Sequence, residues 1–388
     1  MITLKKGDTG SFVDMLQLAL QRAGYNVPIN GEFDEILENA VKEFQQTNNL
    51  DNDGIVGQKT WSLLEPYIFG YKTDENGNVT IFDFDVVPTN VRYTWDLVSY
   101  IVSGLAVRYQ FVETGSIGKS VMGKDLYYLK IGKGEKEVLF NATHHANEWI
   151  TTPLLLKFAE EYAKSFENGG KIADKDANNL FEKTTLYIIP CVNPDGMDVV
   201  NSAIPVGEYL NKVLEISRNY PQIPFPNGWK ANINGVDLNL NYPANWQKAK
   251  EIKYNLGYTT PAPRDYVGTE PLSEPESLAM YNFTVKNNFL LTISYHTQGK
   301  VIYWKYLNYL PQNSYRIAQQ LAEASGYTLS VTPSESAYAG YKDWFIQAFN
   351  KPGYTIEAGV GENPLPLSQF DEIYSDNLPL LATALEII

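Results

Sequence analysis

EVLFNATHHANE, residues 137–148, begins as an apolar run through Val138, Leu139 and Phe140, then delivers two histidines and, three residues after the second, Glu148. An apolar run of this length reads as a buried strand. FLLTISYH, residues 289–296, repeats the arrangement and ends in His296. The chain contains only three histidines, His144, His145 and His296, and every one follows such a run. In a sheet of parallel neighbours, both strands carry their histidines to one edge. A catalytic zinc takes three protein ligands and keeps one position open, and two histidines with a glutamate form an established set. His145, Glu148 and His296 supply that set, with one zinc per catalytic domain. A His-x-x-Glu at a helix start is common by itself; the strand-end position of His296 makes this one specific. His144 and Glu148 stand four apart and could also bind a metal.

Outward from these two stretches, strands are expected at 137–143, 185–192, 289–295 and 353–357. Helices are expected at 152–164, 273–287 and 314–325. Ser273-Glu274-Pro275-Glu276 has the spacing of a capping box with proline near the helix start. Residues 219–227 and 259–271 read as loops. Strands alternating with helices predict an α/β domain with a mixed sheet flanked by helices, whose functional residues gather at the carboxyl ends of its strands.

The first 66 residues read differently. Phe12, Met15, Leu16, Ala19, Leu20 and Ala23 recur at helical spacing, with Gly24 as a stop. Asp34 is an N-cap candidate for a second helix carrying Ile36, Leu37, Ala40, Val41 and Phe44 on one face. A third short helix carries Thr60, Trp61 and Leu64. The expected organisation is a small all-α three-helix domain at 1–66, a linker at 67–87 with an Asn76-Gly77 hairpin turn, and a catalytic domain at 88–388.

Composition excludes several classes. The net charge is −14, so neither a nucleic acid nor a membrane is an expected partner. No apolar run approaches the ~18 residues of a membrane span. The amino terminus lacks the apolar segment of a secretory signal, so cytoplasmic localisation is expected, with cell-wall-facing or sporulation-associated action as the alternative. Cys191 is the sole cysteine; it allows no internal disulfide and reads as a buried, inert thiol.

Residues 5–64, from KKGDTGSFVDMLQLALQRAGY to GIVGQKTWSLL, resemble the peptidoglycan-binding domain found beside cell-wall hydrolases. HHANEWITTPLLL, NPDG, GVDLNLNY, EPLSEPES, SYHT and YAGYKDW…YTIEAG occur in the order found in zinc carboxypeptidases of the M14 family, across residues 90 to 385. The resemblance implies the carboxypeptidase fold and places His145, Glu148 and His296 as zinc ligands. It makes Glu357 the general base and acid, and Asp237 the carboxylate that orients a zinc histidine. By the same likeness Lys230 occupies the position of the arginine that stabilises the oxyanion. Asn239 and Leu240 occupy the Asn-Arg pair with which digestive members bind a free carboxylate, and leucine cannot form that pair. Asn147 stands where an arginine is frequent. Arg264 is an alternative carboxylate anchor, and Tyr338, with Tyr341 as its rival, matches a mobile tyrosine. These departures resemble the bacterial branch that cleaves γ-D-glutamyl-diaminopimelate bonds, with peptidoglycan or muropeptides as partners. Two other functions remain open: a general metallocarboxypeptidase, and a wall-binding protein with a silent peptidase domain.

Overall fold

The computed structural model describes residues 2–388. Its first three helices are α1 (Ser11–Arg22), α2 (Glu35–Thr47) and α3 (Gln58–Phe69). Asp34 caps α2, accepting the Leu37 amide at 2.9 Å. Leu37, Ala40, Val41 and Phe44 are buried, as the spacing requires. Ile36 is not part of that face. It lies about 100° round the helix from Leu37 and is 55% exposed. The third helix runs three residues past 66 and stops at Gly70, whose positive φ of 82° suits a left-handed C-cap.

A hairpin follows, β1 (Tyr71–Thr73) against β2 (Val79–Ile81), with Gly77 at φ 81° in its turn. The carboxylate of Asp74 accepts the amides of Asn76 and Asn78 and closes the turn. The segment after the hairpin is not a free tether. Val86 and Val87 are buried and donate their amides to Glu160 in the next domain.

The larger domain is built on an eight-stranded mixed sheet, supported by α4 (Trp95–Arg108). Its strands are β3 (Glu113–Lys119), β4 (Asp125–Ile131), β5 (Lys136–Ala142), β8 (Thr184–Ile189), β9 (Leu291–His296), β10 (Val301–Tyr303), β11 (Thr328–Ser330) and β12 (Gly353–Glu357), with a small separate ribbon of β6 (Lys171–Ile172) and β7 (Lys175–Asp176). The order is β11-β10-β12-β9-β5-β8-β4-β3. The four central strands, β12, β9, β5 and β8, are mutually parallel. They are buried on both faces, which is why they read as continuous apolar runs. Strand β8 ends at Ile189, short of the expected 192, because Pro190 has no amide to extend the ladder.

The connecting helices are α5 (Thr151–Glu167), α6 (Ala177–Lys183), α7 (Pro194–Val200), α8 (Glu208–Arg218), α9 (Trp246–Asn255), α10 (Pro275–Lys286), α11 (Ser314–Ser325), α12 (Tyr341–Phe349) and α13 (Phe370–Glu386). Alternation along the strands divides the interior in two. Val138, Phe140, Ala142 and Ile188 face the core containing α5, α11 and α13, whereas Leu139, Tyr187 and Ile189 face α10 and α12. The first of these cores is continuous with that of α1–α3. The expected capping box is absent. Glu274 is the N-cap of α10, and Glu276 turns inward to accept the Val121 amide instead of the Ser273 amide. Among the described residues no helix is long and apolar enough to cross a membrane.

Candidate active site

Strands β5, β9 and β12 run in parallel, so their carboxyl ends share one edge, and His296 and Glu357 are register partners across that edge. His145 lies three residues past the end of β5. The turn that carries it there includes Thr143 at φ 55°, a left-handed conformation unfavourable for a β-branched residue. The Thr143 hydroxyl is held by those of Thr151 and Thr152 at 2.9 and 2.8 Å, which anchors the turn to the start of α5. Between them lies a single 3₁₀ turn, Ala146–Glu148, that aims Glu148 back toward His145.

The resulting cluster is tight. His145, Glu148 and His296 each present one ligand atom, and these atoms lie within 4.8 Å of one another. Nδ1 of His145 is 3.1 Å from Glu148 Oε1, and Nδ1 of His296 is 2.9 Å from Glu148 Oε2. Asp237 Oδ1 takes the other His145 nitrogen at 3.1 Å. A metal-binding histidine characteristically has its second nitrogen held in this way. The donor set, two imidazoles and a buried carboxylate with one ring fixed from behind, therefore fits a divalent transition metal. His144 is turned away and bonds Tyr242 Oη at 2.9 Å.

Electrostatics follow from burial and neighbours. Burial disfavours the His145 cation, yet Glu148 and Asp237 outweigh it and hold its pKa up at about 9. Burial alone would raise Asp237, but His145 holds it well below the usual range. Burial likewise opposes the Glu148 anion, and Lys230 and His145 overcome it; Lys230 Nζ is 2.9 Å from Oε1. Glu357 has the opposite balance. Burial and the neighbouring Glu148 charge push its pKa up to about 8.

The cluster, Lys230, Asn239 and Glu357 line a cavity of about 190 Å³. Asn239 ties it together: Nδ2 is 3.4 Å from His296 Nε2, and Oδ1 accepts the Tyr341 amide at 3.0 Å, fixing the start of α12. At that helix start are two residues the sequence did not single out for chemistry. Lys342 and Asp343 are 4% and 2% exposed, lie 2.8 Å apart and line the same cavity. Lys342 also donates to the Lys305 carbonyl and to Thr332 Oγ1. Although close to Lys342, Asp343 Oδ1 is not in hydrogen-bonding alignment with any partner. A Lys-Asp dipeptide ordinarily reads as exposed; nothing in its spacing marks it as buried.

Other expected residues are placed differently. Arg264 lines a wider cleft of about 830 Å³ with Lys230 and Glu357. Its Nε donates to Asp265, 2.7 Å away. Leu240 is not in the cavity wall. It is buried in an apolar cluster with Trp246, Ala249, Val267 and Ala339, so its expected contact with substrate is corrected to a packing role. Tyr338 packs its ring against the same cluster. Tyr341 is fully buried and bonded to Thr284 at 2.8 Å, which removes it as a mobile tyrosine. Asn363 was not anticipated; it donates to the Thr297 carbonyl and approaches Glu148 Oε1 at 3.4 Å.

Comparison with known proteins agrees with this geometry. Residues 101–379 match the family described as zinc carboxypeptidase, and residues 9–64 match a peptidoglycan binding domain. The chain is 40% identical over 295 residues to gamma-D-glutamyl-L-diamino acid endopeptidase 1 of Lysinibacillus sphaericus, covering 76% of this chain and 72% of that protein. It is 41% identical over 281 residues to the uncharacterized protein YqgT of Bacillus subtilis (strain 168), covering 71% and 73%. Among solved structures, thrombin activatable fibrinolysis inhibitor matches with a TM-score of 0.60 at 22% identity, over 77% of this chain and 74% of the other. Carboxypeptidase A from Helicoverpa armigera matches at 0.54 and 18%, over 91% and 86%. At these identities the structural likeness is one of fold.

Proposed function

The chain belongs to the zinc carboxypeptidase family, and from that premise we propose that it hydrolyses the γ-D-glutamyl-diaminopimelate bond of peptidoglycan stem peptides. It is a metallopeptidase with a peptidoglycan-binding domain. The observation that carries the finer reading is the charged end of the cavity, where Lys342 and Asp343 stand buried beside the cluster. The pair is internally matched, and it gives that end of the cavity a charged lining that suits a zwitterionic side chain better than an apolar or aromatic one. Diaminopimelate ends in an ammonium and a carboxylate on one carbon, so it presents both signs to the pair. The relative from Lysinibacillus sphaericus is named for a γ-D-glutamyl-L-diamino acid bond, which supports the same substrate class.

His145, Glu148 and His296 would hold zinc, with Asp237 fixing the His145 ring. Zinc supplies Lewis acidity there, polarising the scissile carbonyl and acidifying water. The chain's own residues do the rest. Glu357 takes a proton from the attacking water and returns it to the departing amine. Lys230 places a positive charge against the negative charge that grows on the carbonyl oxygen. Arg264, on the wall of the open cleft, meets the free α-carboxylate of the glutamyl residue. Leu240 offers no clamp for the carboxyl terminus of an ordinary peptide.

The test is mass spectrometry of products after incubating the zinc-loaded chain with L-Ala-γ-D-Glu-diaminopimelate peptides. Release of L-Ala-D-Glu is expected. Stepwise loss of C-terminal residues from ordinary peptides, with the stem peptide intact, would instead make the chain a general carboxypeptidase. Turnover of neither after zinc loading would make it a wall-binding protein.

A further inference from the structure

Two of the molecule's spaces share a wall, and a third is lined by chain neighbours of that wall. The cavity beside the cluster meets the wider cleft across Lys230, Thr297 and Glu357, which line both. The cleft extends to Asn147, Gly228 and Asn363. A few steps along those same segments, Trp149, Asn227 and Pro364 wall a third space, a crevice of about 550 Å³ where the three-helix unit meets the α/β domain. Asn147 Nδ2 donates to the Asn227 carbonyl at 2.9 Å, joining the crevice wall to the ligand-bearing turn.

The crevice has a fixed shape because the seam is bonded on both sides. Asp14 of α1 accepts Arg92 Nε at 2.5 Å and Nη2 at 3.0 Å. Ser11 Oγ donates to the Asn201 carbonyl at 3.0 Å within the buried seam. Its floor is apolar, with Trp149 and Leu365 nearly fully buried. Its rim carries the exposed carboxamides of Asn30, Asn90 and Asn227, from three separate stretches of chain, the first in the three-helix unit; Asn30 Oδ1 already accepts from Gln17 Nε2 and the Glu32 amide, so Asn30 offers its NH2. The rim carboxylate, Asp14, is already taken by Arg92. Neutral amide donors and acceptors above an apolar floor suit a ring with one apolar face and a margin of hydroxyl and acetamido groups.

We propose that this seam crevice binds the N-acetylated amino sugar that bears the stem peptide. The inference rests on the function proposed above. It gives the substrate a direction, with the sugar at the seam, the glutamyl carbonyl at the cluster and the diamino acid in the cavity beyond. The span is compatible. Asn227 and Lys230 are three residues apart, at most ~11 Å of chain. The acyl link, the alanine and the glutamyl chain up to its γ-carbonyl, about three residues' worth, reach a similar ~11 Å when extended. The binding domain thereby contributes to the substrate site itself, through Asn30, in addition to any wall affinity of its own.

The experiment compares kcat/KM of the zinc-loaded full chain on a disaccharide-bearing stem peptide and on the same peptide without sugar. Wild type is expected to prefer the sugar-bearing substrate by about tenfold, the order of one or two neutral hydrogen bonds. Asn90→Ala with Asn227→Ala should bring the ratio to about one through KM, leaving the free peptide unchanged; Asn90→Trp, which fills the crevice, should do the same. Equal wild-type rates on the two substrates, or a preference that survives both variants, overturns the inference while leaving the proposed bond intact. Should neither substrate be cut, the proposed function fails. Calorimetric titration with the disaccharide then decides the crevice alone: binding lost in both variants sustains it, and no wild-type binding overturns it.

Discussion

Glu357, half-buried, and Glu148, fully buried, are carboxyls at one strand edge, yet their surroundings drive them in opposite directions. Glu148 has Lys230 and His145 against it, whereas Glu357 faces the charge of Glu148. Two carboxyls whose proton affinities are pushed apart in this way can divide the work between ligand and proton carrier. Glu357→Gln is therefore expected to keep its metal, read by elemental analysis, while kcat falls by about 10²–10⁴. His296→Ala should lose the metal; equal zinc loss in both variants would mean the base is another residue. Lys230→Met should retain zinc and lower kcat by about 10²–10³ with a smaller change in KM. The three cluster residues were legible because each follows closely on an apolar run and the chain has few histidines. Lys342 and Asp343 were not, because burial of a charged dipeptide depends on what the fold closes over it. Leu240 was misread for the same reason: its position in a motif does not state which way its side chain points.

The start of α10 shows how an element can satisfy a local pattern and still be built otherwise. Ser273 and Glu276 have capping-box spacing, but Glu276 accepts from Val121 and from Asn232 Nδ2 inside the protein. Burial, with Asp195 nearby, pushes its pKa up to about 8, above the ~4.3 of a free glutamate. The native state thus retains a proton that the unfolded chain releases. Its contribution to stability is full below about pH 4, declines as pH rises and is gone above about pH 8. Melting temperature should fall across that window, and Glu276→Gln should flatten the decline, as read by calorimetry at pH 5 and pH 8.5. The central strands and the helices α5, α10 and α11 were legible within a few residues, since burial on two faces or one leaves a period in the sequence; α4 and α13 were not among the expected elements. Their ends were less so, because Pro190 and the Glu274 cap act through hydrogen bonds that periodicity does not register.

At the scale of the molecule, the three-helix unit is part of the enzyme's core and not a tethered appendage. Arg22 donates to the carbonyls of Tyr67, Ile68, Asp85 and Val86, sewing α1 to the connector. Leu16 of α1 is fully buried in the core that continues into the α/β domain. Leu16→Ala should cost about 2–5 kcal/mol, and in urea the loss of peptidase activity should track the loss of helical signal in one transition. Two separated transitions would mean the units are independent. Removal of residues 2–66 should likewise lower the melting temperature of what remains, so the contribution of the binding domain is better read from point variants. The sequence by itself determined the four central strands, the alternation that makes an α/β domain and the identity of the cluster, because these depend on residues near one another or on repeated periods. Only the tertiary structure decided the buried Lys342–Asp343 pair, the inward turn of Glu276 and the seam between the two units. Each of those arises where distant segments exclude water together, and no local stretch encodes that exclusion.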